Sequence, residues 1–129
     1  MKKIIADTNF LMSQFEYGID LRSELCRIVH GPMSLLVSSG TMGELRMMAG
    51  KTGRKSSAAR FVLQNLPSIG KRIPVEIVES RGPVDEWIIK HALANRFCVA
   101  TNDVPLRKRL LAAGVQVIAA KGKSKLDFV

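Results

Sequence analysis

Four acidic side chains in this 129-residue chain stand where carboxylate chemistry could be assembled: Asp7, Glu44, Asp85 and Asp103. Asp7 closes the apolar run 2–6, and Asp103 follows the run 97–100. Glu44 lies in the helical stretch after the run 34–38, and Asp85 lies in the first turn of the helical stretch that Gly82-Pro83 opens. All four thus fall at a strand end or near the start of the helix after one. Carboxylates brought together at one edge repel, and their pKa values rise unless a cation compensates. Oxygen donors without a neighbouring Cys or His suit Mg²⁺ or Mn²⁺. Such an ion lowers the pKa of bound water and stabilises charge on a phosphoryl oxygen, which is what phosphodiester hydrolysis needs.

Each acid also has an ordinary structural explanation. Asp7 can cap the helix after the first strand. Thr41 and Glu44 have capping-box spacing. Asp85 sits where the helix macrodipole favours negative charge. Asp103 precedes Val104-Pro105 and reads as an N-cap with proline just inside the helix.

The elements that must position these residues alternate along the chain. Strands are expected at 2–6, 34–38, 75–78, 97–100 and 115–119, as short apolar runs. Helices are expected after Asp7 and at 21–30, 41–49, 58–66, 84–95 and 105–113, with 51–57 a basic loop and Pro67 and Gly70 breaking the fourth. Buried strands alternating with helices indicate a three-layer α/β/α fold around a parallel sheet of about five strands. One domain spans 1–129, with a basic tail over about 121–129 that is partly exposed at 121–125. Sites in such sheets lie beyond the carboxyl ends of the strands, which selects Asp7 and Asp103.

The motifs Asp7-Thr8-Asn9-Phe10-Leu11, Glu44-Leu45, Asp85-Glu86-Trp87-Ile88 and Ala100-Thr101-Asn102-Asp103-Val104-Pro105-Leu106 occur in that order. In this the chain resembles the PIN domain nucleases, particularly the archaeal branch related to ribosomal-RNA-processing PIN proteins, and also the VapC-type toxins. The resemblance implies a Mg²⁺- or Mn²⁺-dependent endoribonuclease. It makes Asp7 the central metal ligand, with Asp85 and Asp103 completing the coordination and Glu44 orienting a water or a second ion. It gives Asn9 and Thr101 the task of holding ligands by hydrogen bonds. Glu86 adjoins Asp85, but one helical step turns a side chain by about 100°, so both hardly face one ion. The spacing to Ile88 selects Asp85. The resemblance also implies a homodimer, and either a ribosome-assembly partner or an antitoxin.

Charge agrees with RNA as the partner. Twenty Lys and Arg face 11 Asp and Glu, for a net charge of +9 and a pI near 10.1. No acid lies between Glu44 and Glu76, a stretch that holds Arg46, Lys51, Arg54, Lys55, Arg60, Lys71 and Arg72. Arg107, Lys108 and Arg109 follow Asp103, and Lys121, Lys123 and Lys125 lie near the end. Arg46, Lys51, Arg54, Lys55, Arg107 and Lys108 are the candidates for phosphate contacts. A solvated basic surface is the plainer reading, above all for Lys71 and Arg72.

Other residues read as structural. Trp87 and Phe10 suit core packing, although they and Tyr17 could stack on bases. His30 and His91 suit helix surfaces. Met42, Met47 and Met48 form a core or partner stripe. Cys26 and Cys98 fit no metal or redox spacing and are expected buried in a cytoplasmic protein. Asp7 and Asn9 interrupt the first apolar run too early for a secretion signal, and no stretch nears the ~20 apolar residues of a membrane span. An aspartyl phosphatase needs a second Asp where Asn9 stands. A phospho-acceptor receiver needs an acidic pair at the end of the first strand, and no Gly-rich phosphate loop occurs. The remaining alternatives are a toxin ribonuclease and a non-catalytic RNA-binding scaffold.

Overall fold

The computed structural model describes residues 1–122 and 124–129; Lys123 lies outside the described residues. In chain order the elements are β1 (Lys2–Ala6), α1 (Thr8–Tyr17), α2 (Leu21–Ile28), β2 (Met33–Ser38), α3 (Ser39–Ala49), α4 (Arg54–Gly70), β3 (Val75–Val78), α5 (Val84–Asn95), β4 (Cys98–Ala100), α6 (Val104–Ala112), β5 (Val117–Lys121) and β6 (Lys125–Phe128).

The strands form one sheet in the order β3-β2-β1-β4-β5-β6, parallel except for β6. Successive strand side chains point to opposite faces, so the apolar runs feed two cores. Ile4, Ala6, Leu35, Val37, Cys98, Ala100 and Ile118 pack with Phe10, Leu11, Leu25, Leu45, Val62 and Leu66 of the first four helices. Ile5, Leu36, Val99 and Val117 pack on the other face with Ile88 and Ala92 of α5 and Leu106 and Leu110 of α6. The result is the expected α/β/α sandwich.

The strand order reverses at β1. The chain steps from β1 outwards to β2 and β3, then returns to the far side of β1 with β4. The crevice between the ends of β1 and β4 is therefore a switch point, where the chain leaves the two strands for opposite faces of the sheet and a ligand can enter. The register Ala6↔Ala100 places Asp7 beside Thr101 there. The two alanines leave the strand ends close, and the Asp7 N–H donates to the Ala100 carbonyl at 3.0 Å.

Several local expectations are corrected. The fourth helix begins at Arg54 instead of 58 and runs through Pro67 to Gly70. Ala58, Ala59, Val62, Leu66 and Ile69 keep helical spacing on the core, and that burial outweighs the hydrogen bond lost at proline. The fifth strand is Val117–Lys121, two residues later than expected. Lys121 and Lys125 are exposed as expected, but 125–128 adds a sixth, antiparallel strand that was not expected. Leu126 is fully buried, its N–H donates to Glu24 Oε1 at 2.9 Å, and Arg27 donates to its carbonyl at 2.7 Å. Cys26 is exposed on α2; Cys98 is buried, and burial pushes its thiol up to about 11. Phe10 lies in the core as expected. Trp87 is only half-buried, stacked on His91 with ring centroids 4.4 Å apart. Met42 and Met48 border the core, whereas Met47 is exposed. Among the described residues no helix is long and apolar enough to cross a membrane.

The sixth strand has a direct test. Leu126→Ala should cost about 2–5 kcal/mol, the scale for emptying a buried leucine site. Urea denaturation measures it, and a near-zero cost would mean that the last residues do not pack as β6.

Candidate functional site

Asp7 follows β1, α3 starts directly after β2, and α5 and α6 start after β3 and β4. In a parallel sheet all these junctions lie at one edge. The first turns of α1, α3, α5 and α6 thus point unpaired N–H groups, the positive helix ends, at the region holding the acids.

Asp7 is 6% exposed and is fixed through both carboxylate oxygens. The Thr8 N–H donates to Oδ1 at 2.7 Å and the fully buried Thr101 hydroxyl donates to Oδ2 at 2.8 Å. Thr101 Oγ1 also accepts the Asp103 N–H at 3.1 Å, so one hydroxyl ties Asp7 to the backbone of Asp103. Asp103 caps α6, its Oδ1 accepting the Leu106 N–H at 2.9 Å. Asn9 Oδ1 accepts the Asn102 N–H at 3.1 Å, and Asn102 Oδ1 accepts the Ala120 N–H at 2.8 Å. The loop after β4 is therefore bolted to α1 on one side and to β5 on the other.

Glu44 does not form the expected capping box with Thr41. Ser38 caps α3 instead, accepting the Thr41 N–H at 3.0 Å. Helix α3 begins two residues earlier than expected, which moves the cap back and frees Glu44. Its Oε1 accepts the Thr8 hydroxyl at 2.8 Å, so Thr8 bridges Asp7 and Glu44 with its N–H and its hydroxyl. Thr8 stands in the Asp7-Thr8-Asn9 motif, where its hydroxyl was the signal that sequence reasoning passed over.

Asp85 stands at the exposed rim, in the first turn of α5. Neighbouring Glu86 forms an ion pair with Arg109 of α6 at 2.9 Å. That contact brings Arg109 next to this rim, where its charge also reaches Asp85.

The electrostatics join the four acids. Burial, opposed by the Thr101 and Thr8 hydrogen bonds and reinforced by the charges of Asp85 and Glu44, raises the pKa of Asp7. Desolvation and the charges of Asp103 and Glu44, with a smaller push from Glu86, raise that of Asp85, while Arg109 opposes them. Each of these two carboxylates therefore senses two of the others. The donor set is all carboxylate oxygen with no thiolate or imidazole, and its repulsion is of the kind a hard divalent cation relieves. The chemistry of the residues fits Mg²⁺ or Mn²⁺. Among the described residues, no three acid, His or Cys side chains stand as a group that could hold an ion, and the Glu44 and Asp85 side chains are exposed.

The basic candidates divide by position. Arg46, Lys51, Arg54, Lys55 and Lys108 are exposed, and Arg107 is half-buried. Arg54 donates to the Glu16 carbonyl at 3.2 Å and lies over the Phe15 ring. Arg60 is taken up by the carbonyls of Ala49 and Lys51 at 2.9 and 3.2 Å. Lys71 and Arg72 follow α4 before β3 begins, away from the acidic edge. Lys121 and Lys125 are cross-strand partners at the β5–β6 turn, at the acidic edge.

Sheet order and the carboxylate edge define the class. The chain belongs to the PIN-like domain family, whose model, described as a PIN like domain, matches residues 4–123. Over 129 residues it is 27% identical to Ribonuclease VapC4 of Methanocaldococcus jannaschii, covering 99% of this chain and 97% of that protein. In fold it resembles the PIN domain endonuclease Utp24, with a TM-score of 0.78 and 23% identity over 98% of this chain and 90% of that one. It also resembles VapBC-1 from nontypeable Haemophilus influenzae, with a TM-score of 0.59 and 18% identity over 89% and 96% of the two chains.

The raised pKa of Asp7 has a signed consequence. The fold favours its neutral form, so the stability this group contributes is full below its unfolded pKa of ~3.9 and lost as pH rises through the higher folded value. Asp7→Asn should therefore raise the melting temperature of the metal-free protein at pH 7, with the gain shrinking below about pH 4. A variant that melts lower than wild type at pH 7 would contradict this.

Proposed function

We propose that this protein is a Mg²⁺- or Mn²⁺-dependent endoribonuclease, with Asp7, Glu44, Asp85 and Asp103 as its catalytic, metal-holding residues. The observation that carries the reading is the pair of threonine ties at the switch point of the sheet, Thr8 joining Asp7 to Glu44 and Thr101 joining Asp7 to the backbone of Asp103. The relatives named as a ribonuclease and an endonuclease support it.

Asp7 would hold the ion from the floor of the crevice, with its two oxygens already oriented by Thr8 and Thr101. Asp85 and Asp103 would close on it from the first turn and the N-cap of their helices. Glu44, steadied by the Thr8 hydroxyl, would orient a water or a second ion. The ion would supply a hydroxide-like nucleophile from water at neutral pH and neutralise charge on the phosphoryl oxygens. Asn9 keeps the β4–α6 loop, and with it Thr101 and Asp103, against α1.

RNA would reach the edge by its phosphates, through Arg46, Lys51, Arg54, Lys55, Arg107 and Lys108. The physiological reading is RNA processing, ribosomal RNA included, in the cytoplasm, by a homodimer with a ribosome-assembly partner. A second reading, a toxin restrained by an antitoxin, draws on the relative named VapC4. Expression separates them: a toxin arrests growth and Asp7→Asn relieves the arrest, whereas a processing enzyme is tolerated.

Cleavage of RNA should require Mg²⁺ or Mn²⁺, stop with a chelator, and fall about 100-fold or more in Asp7→Asn and Asp103→Asn, the scale of losing a main electrostatic stabiliser. Activity that survives both substitutions assigns the chemistry elsewhere. RNA affinity of the Asp7→Asn protein should drop steeply with salt, by about 0.7 in log–log slope per phosphate contact on a single strand. A flat response removes the phosphate-contact assignment.

A further inference from the structure

Helix α3 contains two glycines in its first half, Gly40 and Gly43, and neither has a left-handed backbone. A helix favours alanine over glycine at such positions, so conformation does not account for either. Space accounts for one of them. A Cβ built on Gly40 would lie 2.8 Å from Val84 Cγ2 and 3.1 Å from Ser80 Oγ, while one on Gly43 meets nothing within 4 Å. Contacts under 3.0 Å force a shift.

The atom that must give is a methyl of Val84, the first residue of α5 and directly before Asp85; a valine in a helix is held to one χ1 rotamer, so the push passes to its backbone. Polar contacts lock the same place. The Gly40 N–H donates to Ser80 Oγ and the Ser80 N–H donates to Ser39 Oγ, both at 2.9 Å. These bonds continue the pairing of β2 with β3 past its last registered pair, Ser38↔Val78. They stitch the start of the helix that carries Glu44 to the loop that leads into the helix that carries Asp85.

We propose that Gly40 is a positioning residue of the carboxylate site: its missing side chain seats the first turn of α5 against the first turn of α3 and so sets Asp85 relative to Glu44. The role rests on the metal-site reading given above. Gly40 touches neither ion nor RNA; it acts through Val84 and Ser80. A methyl group at residue 40 pushes Val84 outwards and carries Asp85 with it, and the same methyl at residue 43 does nothing.

The test compares Mn²⁺ binding by the metal-free protein, followed through the EPR signal of the free ion, with melting temperature measured without metal. Gly40→Ala should weaken Mn²⁺ binding by about 10-fold or more, the usual effect of disturbing a group that orients a ligand. Gly43→Ala should bind as wild type. Val84→Ala, introduced into Gly40→Ala, removes the opposing methyl and should restore both affinity and melting temperature. If Gly40→Ala does not fold, the double variant and Ser80→Ala carry the comparison, and a folded double variant with wild-type affinity is the supporting result. A folded Gly40→Ala that binds Mn²⁺ as tightly as wild type, or a double variant with no recovery, overturns the proposal. Failure of the metal reading itself looks different: wild type and Asp7→Asn then bind Mn²⁺ equally weakly, while the metal-free melting pattern of the glycine and valine variants still reports the contact.

Discussion

Burial of a carboxylate beside other carboxylates is the constraint around which this site is arranged. The sheet reverses its strand order beside β1, and at that reversal Asp7 and Asp85 are both raised above the ordinary carboxylate range, each partly by the charge of other acids. A domain of this size is stable by only about 5–15 kcal/mol. It keeps such a cluster by meeting it with the positive ends of the helices that start there and with the hydroxyls of Thr8 and Thr101. These donors hold the acids in place without neutralising them, so the charge remains available to a cation.

The two threonines do different work. Thr101, fully buried, links Asp7 to the turn of Asp103 across the gap between adjacent strands. Thr8 links Asp7 to Glu44 across the gap between α1 and α3. Among the described residues Asp85 has no such tether; its place depends on how α5 sits. The stitch between Ser39, Gly40 and Ser80 governs that, and the Glu86–Arg109 pair, about half-exposed and hence weak, adds a second link between α5 and α6.

Much of this was legible in the residues. Apolar runs and their spacing located β1, β3 and α5 to the residue, because each is bounded by residues with strong local preferences: Asp7 after β1, Gly82-Pro83 before α5. The capping roles of Asp7 and Asp103 were readable for the same reason. The failures are places where tertiary burial overrode local preference. Proline is tolerated inside α4 because Leu66 and Ile69 are held in the core. The strand 125–128 is short and charged, and it is held by Leu126 and by bonds from α2 that only the folded chain brings near. The Thr41-x-x-Glu44 pattern was ambiguous by sequence, since Ser38 competes for the same cap. The need for glycine at 40 and not at 43 depends on a neighbour 44 residues away, Val84, and no local pattern encodes it.

The most direct measurement is the anomalous scattering of Mn²⁺ diffused into crystals of the protein. A peak within coordination distance of Asp7, with Asp85 and Asp103 drawn towards it and Glu44 alongside, is the expected result. Saturating Mn²⁺ that leaves this edge without a peak, or that binds only elsewhere on the surface, would contradict the account.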